Sequence, residues 1–314
     1  MQTSANTDVH VIELLEKMSS AFMHADYDGV FVYSQGNDVK TLRIIHKIKD
    51  GIEKERLIHL DGERFELIRN GDQTYCVLSE EIDAKVEHRV PPSSFAQSFI
   101  SDLTELKKNY HITKRSQYRF LGRDVVKIII SPKTEDRYSY HLWIDRVSGI
   151  LLKSLLNDTN GKELERFQFS SLDIGMPVPD YLFMIEDRDR VKVIEIPSEK
   201  TANKKFKNGG WKVNEIPDGF TSIMTDQMDM TLPFMGSLQY MKAYTDGLFS
   251  FSVLIEKINP SSSGEGMSVM GATTVMSRRF SDMGDIYSIT LVGEIPLAMV
   301  ERVLASVVKL KPKQ

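Results

Sequence analysis

Tyr244-Thr245-Asp246-Gly247-Leu248-Phe249-Ser250-Phe251-Ser252-Val253 opens on an Asp-Gly turn signal and then alternates apolar with small polar residues. In an extended chain Leu248, Ser250 and Ser252 fall on one face and Phe249, Phe251 and Val253 on the other. The pattern predicts a strand with one aromatic face. Gly271-Ala272-Thr273-Thr274-Val275 and Ile289-Thr290-Leu291-Val292-Gly293 also read as strands, as do the runs 211–220 and 239–244. Beyond them Pro296 precedes Leu297, Val300, Val303, Leu304 and Val307, which share one helical face behind a proline suited to a first turn. The last third of the chain is therefore expected to be a small α+β domain built on an antiparallel sheet.

Working back toward the N-terminus, Val9, Ile12, Leu15, Met18 and Phe22 recur at three- and four-residue intervals, one face of an amphipathic helix. Strand runs follow at 29–34, 39–48, 52–60, 64–69 and 74–78, and again at 117–121, 125–131, 138–145, 150–156 and 162–172. They are separated by Asp50-Gly51, Asp61-Gly62, Asn70-Gly71, Gly122, Ser148-Gly149 and Asn160-Gly161, residues that tolerate positive φ. Pro91-Pro92 marks a loop, and Phe95, Phe99, Leu103 and Leu106 suggest a second helix capped by Ser94. Turns every ten to fifteen residues without intervening helical periods imply meanders. The expected fold is mainly β: a large, curved antiparallel half-barrel sheet with helices on one face over residues 1–185, a polar linker over 186–210, and the small domain over 211–314.

Composition narrows the function. The 314 residues carry a formal net charge of −4, with 41% hydrophobic and 27% charged side chains. Nucleic acid is an unsuitable partner for a chain with no basic excess to replace phosphate counterions. The one cysteine, Cys76, excludes an internal disulfide and a CxxC site and reads as a small buried apolar residue. No apolar run is long enough for a membrane span, and the first residues lack the charged and apolar regions of a signal peptide. The seven histidines are scattered, with no metal-ligand spacing. No P-loop, GxSxG elbow, HExxH or EF-hand pattern appears. No catalytic residue, metal or cofactor is expected, and the chemistry left is binding.

A resemblance sharpens this. Trp211-Lys212-Val213-Asn214 with Pro217-Asp218-Gly219-Phe220, the stretch 244–253, Gly293-Glu294-Ile295-Pro296 and, upstream, residues 64–76 around Arg69-Asn70-Gly71-Asp72 resemble the RseB/MucB family in order and spacing. The resemblance runs from about residue 27 to the C-terminus. It implies a periplasmic, non-enzymatic regulator of the envelope-stress sigma factor. Such a protein binds the periplasmic region of an inner-membrane anti-sigma factor of the RseA/MucA type and protects it from site-1 proteolysis. Lipopolysaccharide or lipoprotein acyl chains in the larger domain, similar to periplasmic lipoprotein carriers, release the partner. A homo-oligomer is left open. Partner contact is expected at Tyr244, Phe249, Phe251, Arg278 and Arg279, because aromatics and arginine dominate interface energetics. Lipid contact is expected at Phe31, Tyr33, Ile44, Phe65, Leu67, Tyr140 and Leu142, on the apolar face of the large sheet, where ordinary core packing is the competing reading. A lipid or lipoprotein carrier without a regulatory partner is the alternative function.

Overall fold

A computed structural model of the chain describes residues 2–79, 103–186, 191–196, 210–223 and 238–310. The first element is helix α1 (Gln2–His24), whose Val11, Leu15, Met18 and Phe22 are buried at the spacing of one helical face. Burying each such side chain contributes roughly 1.5–3 kcal/mol, which holds the helix on the sheet that follows. That sheet contains β1 (Tyr27–Gln35), β2 (Asp38–Lys49), β3 (Ile52–His59), β4 (Phe65–Asn70) and β5 (Gln73–Ser79). Helix α2 (Leu103–Asn109) leads into β6 (Tyr110–Phe120), β7 (Arg123–Pro132), β8 (Ser139–Asp145), β9 (Leu151–Asn157) and β10 (Glu163–Ile174). A 3₁₀ turn (Asp180–Phe183) precedes β11 (Val191–Ile196).

The strand order is β11-β5-β4-β3-β2-β1-β10-β9-β8-β7-β6, every pairing antiparallel, so two consecutive meanders are joined where β1 meets β10. The order ends in two different edge strands, and the sheet is open rather than closed into a barrel. Register shifts at Val30/Phe31 and between Arg115 and Tyr118 are bulges, which bend the strands that carry them. The inner face carries Phe31, Leu42, Ile44, Leu57, Ile128, Tyr140, Leu142, Phe167 and Phe169, all buried in one core with the apolar face of α1.

The small sheet has the order β13-β14-β15-β18-β17-β16: β13 (Thr221–Ile223), β14 (Leu238–Thr245), β15 (Ser250–Lys257), β16 (Gly266–Met270), β17 (Thr273–Asp282) and β18 (Asp285–Gly293). Helix α3 (Leu297–Ala305), with Pro296 at its N-cap, buries Met299, Val300, Val303 and Leu304 against it. A separate ribbon pairs β12 (Trp211–Val213) with β19 (Val307–Lys309).

Several expectations need correction. Residues 191–196, inside the expected linker, form β11 and extend the large sheet along β5, from Val191↔Ser79 to Ile196↔Thr74; residues 187–190 and 197–209 of that stretch lie outside the described residues. Strand β6 begins at Tyr110, seven positions before the run at 117, because an edge strand holding His111, Lys114 and Arg115 lacks a clean alternation. Of the strand expected over 211–220 only β12 forms, at 211–213; Pro217 and Gly219 interrupt the rest, and β13 begins just past it at Thr221. The helix expected from 95 begins, among the described residues, at Leu103, and its proposed cap at Ser94 lies outside them.

Candidate functional site at the domain seam

The two domains meet through the stretch 244–253. Asp246 folds it into an Asx turn, its Oδ1 accepting from Leu248 N at 3.0 Å and from Phe249 N at 2.9 Å. The turn aims Phe249 away from the small sheet and onto the inner face of the large one. There its ring stacks on Tyr140, centroids 5.4 Å apart and planes at 7°. Tyr138 meets it edge-on at 5.9 Å and Tyr110 is tilted at 6.4 Å. Phe249 is 1% exposed, so it is a plug filling a cage of three tyrosines. Core truncation of a phenylalanine of this kind costs about 3–5 kcal/mol.

Polar contacts ring the plug. The Tyr110 hydroxyl donates to Asp246 Oδ2 at 2.5 Å, and Arg137 Nε lies 3.4 Å from the same oxygen. Arg137 also donates to the Asp218 carbonyl and places its guanidinium over Tyr110 and Phe220. Arg137 and Asp246 are both buried, so each charge depends on the other for compensation. Burial and then the Asp246 charge push the Tyr110 hydroxyl far above its usual pKa, which keeps it a donor. Burial likewise raises Tyr138, to about 12.

A second latch closes the other side. Glu165 on β10 accepts from Tyr33 at 2.9 Å, from Gln35 at 3.1 Å and from the backbone N–H of Ala272 at 3.1 Å. Gln35 in turn donates to the Met270 carbonyl at 3.1 Å. The β16–β17 turn of the small domain is thus gripped by the large one. Gly271 sits in this grip at φ +56, where a Cβ would come within 2.4 Å of Gln35 and 2.7 Å of a Glu165 oxygen. Glu294 lies at the same seam, and burial, with the Glu165 charge second, raises its carboxyl to about 7.

The expected site residues fall into place unevenly. Tyr244, Phe249 and Phe251 are core side chains, 4%, 1% and 1% exposed. They are therefore not a free aromatic surface: Tyr244 and Phe251 stack on each other at 5.0 Å, and Phe249 enters the other domain. Arg278 donates to the Leu304 and Val307 carbonyls at 2.8 and 2.9 Å, tying the end of α3 to the sheet, while Arg279 donates to the Ser262 and Pro260 carbonyls. Of the expected lipid contacts, Phe31, Ile44, Tyr140 and Leu142 are buried on the inner face, Tyr33 and Leu67 pack against them half-buried, and Phe65 lies apart against His59 at 4.7 Å. Tyr140 and Phe249 belong to the two different expected sets and touch each other. Residue patterns could not have revealed Tyr110, Arg137, Glu165 and Asp246, whose roles depend on contacts between distant strands. The nearest signal is Asp246-Gly247, legible only as a turn.

Among the described residues no cluster of His, Cys, Asp and Glu could hold a metal ion, and no helix is long and apolar enough to cross a membrane. Residues 10–192 match the MucB/RseB N-terminal domain and residues 205–308 the MucB/RseB C-terminal domain. The chain is 31% identical over 309 residues to the sigma factor AlgU regulatory protein MucB of Pseudomonas aeruginosa, covering 98% of this chain and 93% of the relative. It is 26% identical to the sigma-E factor regulatory protein RseB of Salmonella typhimurium, over 97% of this chain and 92% of that one. A crystal structure of MucB in complex with MucA(peri) matches with a TM-score of 0.72 at 28% identity, covering 96% of this chain and 99% of that chain. MucB crystallised alone matches at 0.60 and 26% identity, over 97% and 98% of the two chains. Both halves and nearly the full length agree: the chain belongs to the MucB/RseB family, whose named relatives are regulatory proteins of sigma factors.

Proposed function

We propose that this protein is a non-enzymatic periplasmic regulator that binds the periplasmic region of a membrane anti-sigma factor, protects it from site-1 proteolysis, and lets go when an acyl chain enters the large domain. The observation that carries this reading is the stacking of Phe249 in the Tyr110–Tyr138–Tyr140 cage. Phe249 occupies the apolar inner face that an acyl chain would seek, so plug and lipid compete for one surface. A ligand shifts a two-state equilibrium only through its different affinities for the two states. Lipid favours the unplugged state by replacing Phe249, and the partner favours the plugged one. Support for a partner of this kind comes from the relatives: MucB, to which this chain is similar along nearly its full length, has been crystallised in complex with MucA(peri).

In this scheme Tyr244, Phe249 and Phe251 act by fixing the domain arrangement that the partner recognises. Arg278 and Arg279 hold the end of α3 and the 260–262 loop beneath that surface. Phe31, Ile44, Tyr140 and Leu142 supply the face that lipid takes over, with Tyr33 and Leu67 at its border.

The test is a cleavage assay with the periplasmic segment of the cognate anti-sigma factor and its site-1 protease. Stoichiometric protein should slow cleavage, and an acylated peptide or lipopolysaccharide should restore it. Unimpeded cleavage by a sample that still takes up acyl chains would instead indicate a lipid carrier without this partner.

A further inference from the structure

The outer face of the large sheet, opposite α1 and the seam, carries a concentration of positive charge that the regulatory reading leaves unused. Lys47 and Lys54 are direct cross-strand partners on β2 and β3, and Lys49 stands two residues from Lys47 on the same face. Like charges placed opposite each other on a sheet repel. Here all three ammonium groups converge on one carboxylate, Asp180, in the 3₁₀ turn that straps residues 178–184 across this face. Neighbouring cations are differently served: Arg43 has Asp28 to itself in a two-pronged pair at 2.9 and 2.6 Å, and Arg56 and Arg64 divide Glu66 between them, Arg56 taking Oε2 at 2.9 and 2.6 Å and Arg64 taking Oε1 at 2.8 Å. Asp50, in the β2–β3 turn, adds a second, more distant negative charge near Lys49.

Asp180 under-fills the position it occupies. Lys49 reaches Oδ2 at 2.7 Å, the length of a strong charge-assisted bond. Lys47 and Lys54 must share Oδ1, both at 3.3 Å. Lys47 turns its closer contact, 2.5 Å, to the Val178 carbonyl. Three donors thus face an acceptor that has two oxygens and one charge. A phosphate monoester offers three terminal oxygens and nearly two charges at neutral pH, which matches three ammonium groups better. Lysine suits such a role because it binds phosphate as a movable point charge. The carboxylate that holds the place is itself about half exposed, 46% for its side chain, so it can swing aside into water.

We propose that Lys47, Lys49 and Lys54 form a binding site for phosphate-bearing anions, with the Asp180 carboxylate as its built-in competitor. Occupancy would free the Asp180 strap from the sheet. The site lies on the face opposite the seam, and its occupation does not depend on any partner protein or on the acyl competition described above.

The experiment is co-sedimentation of the full chain with phosphatidylcholine vesicles, with and without phosphatidic acid, and with inorganic phosphate as a soluble competitor. Asp180→Asn removes the competing charge and keeps the shape; it should tighten binding to the doped vesicles by about tenfold, the sum of a few exposed ion pairs. Lys49→Gln, at a half-exposed position that the fold does not require, should weaken wild-type binding severalfold. Displacement by inorganic phosphate would identify the phosphate group itself as the ligand, and binding resistant to it would identify the lipid headgroup in its membrane. Equal affinity of wild type, Asp180→Asn and Lys49→Gln for the doped vesicles would overturn the proposal, as would equal binding to vesicles without phosphatidic acid.

Discussion

Tyr110 and Asp246 stand 136 residues apart in the chain and share a 2.5 Å hydrogen bond in the folded molecule. The surrounding side chains explain why that bond persists: the pair is out of water, the phenol is held protonated by burial and by the Asp246 charge, and Arg137 balances the carboxylate. Glu294 is the residue here whose protonation changes within the physiological range. Its folded pKa, about 7, lies above the ordinary 4.5 because burial disfavours the charged form and Glu165 repels it. Between those two values the folded chain keeps a proton that the unfolded chain has lost, so stability falls as pH rises from about 4.5 to about 7 and levels off above. The slope has an upper limit of about 1.4 kcal/mol per pH unit. Relative to Glu294→Gln, the wild type should therefore lose melting temperature across that interval. A melting difference that does not vary with pH would show that Glu294 is not held protonated at the seam.

At the scale of elements, the β16–β17 turn is the piece on which the grip of the large domain depends. Gly271→Ala must pay for a left-handed backbone, about 1–2 kcal/mol, and must also push Gln35 and Glu165 aside. Gly284→Ala in the β17–β18 hairpin is the control, with φ +87 and open space around its Cβ. Both variants should lose stability in thermal melts, but Gly271→Ala should lose more and should also expand the molecule in small-angle scattering. Equal losses with unchanged dimensions would mean that the turn does not hold the domains together. The elements themselves were largely legible: period-two alternation bounded by glycine turns marked every strand from β1 to β5 and from β7 to β10, because each buries one face. Strand β11 was not, since its sequence reads as part of a polar linker and its place is set by the free edge of β5. Nor was β16, whose residues are exposed on both faces and leave no burial pattern to read.

For the whole molecule, the chain places two apolar surfaces so that they cover each other: the inner face of an open sheet and the aromatic turn of a smaller one. Resemblance pointed to both surfaces, with Tyr140 on one and Phe249 on the other, but their contact depends on tertiary register that no local pattern encodes. In the proposed function this contact is what would make lipid entry and partner binding alternatives on one chain, and linkage then requires the coupling to be reciprocal. Calorimetric titration of the anti-sigma factor's periplasmic segment into the protein, repeated with a saturating acylated peptide, measures it directly. Affinity should fall with the lipid in the wild type. In Phe249→Ala, where the plug is gone and only the polar latches join the domains, affinity should be lower from the start and less changed by lipid. Unchanged partner affinity in the presence of bound lipid, or a Phe249→Ala protein that binds and responds like the wild type, would contradict the coupling.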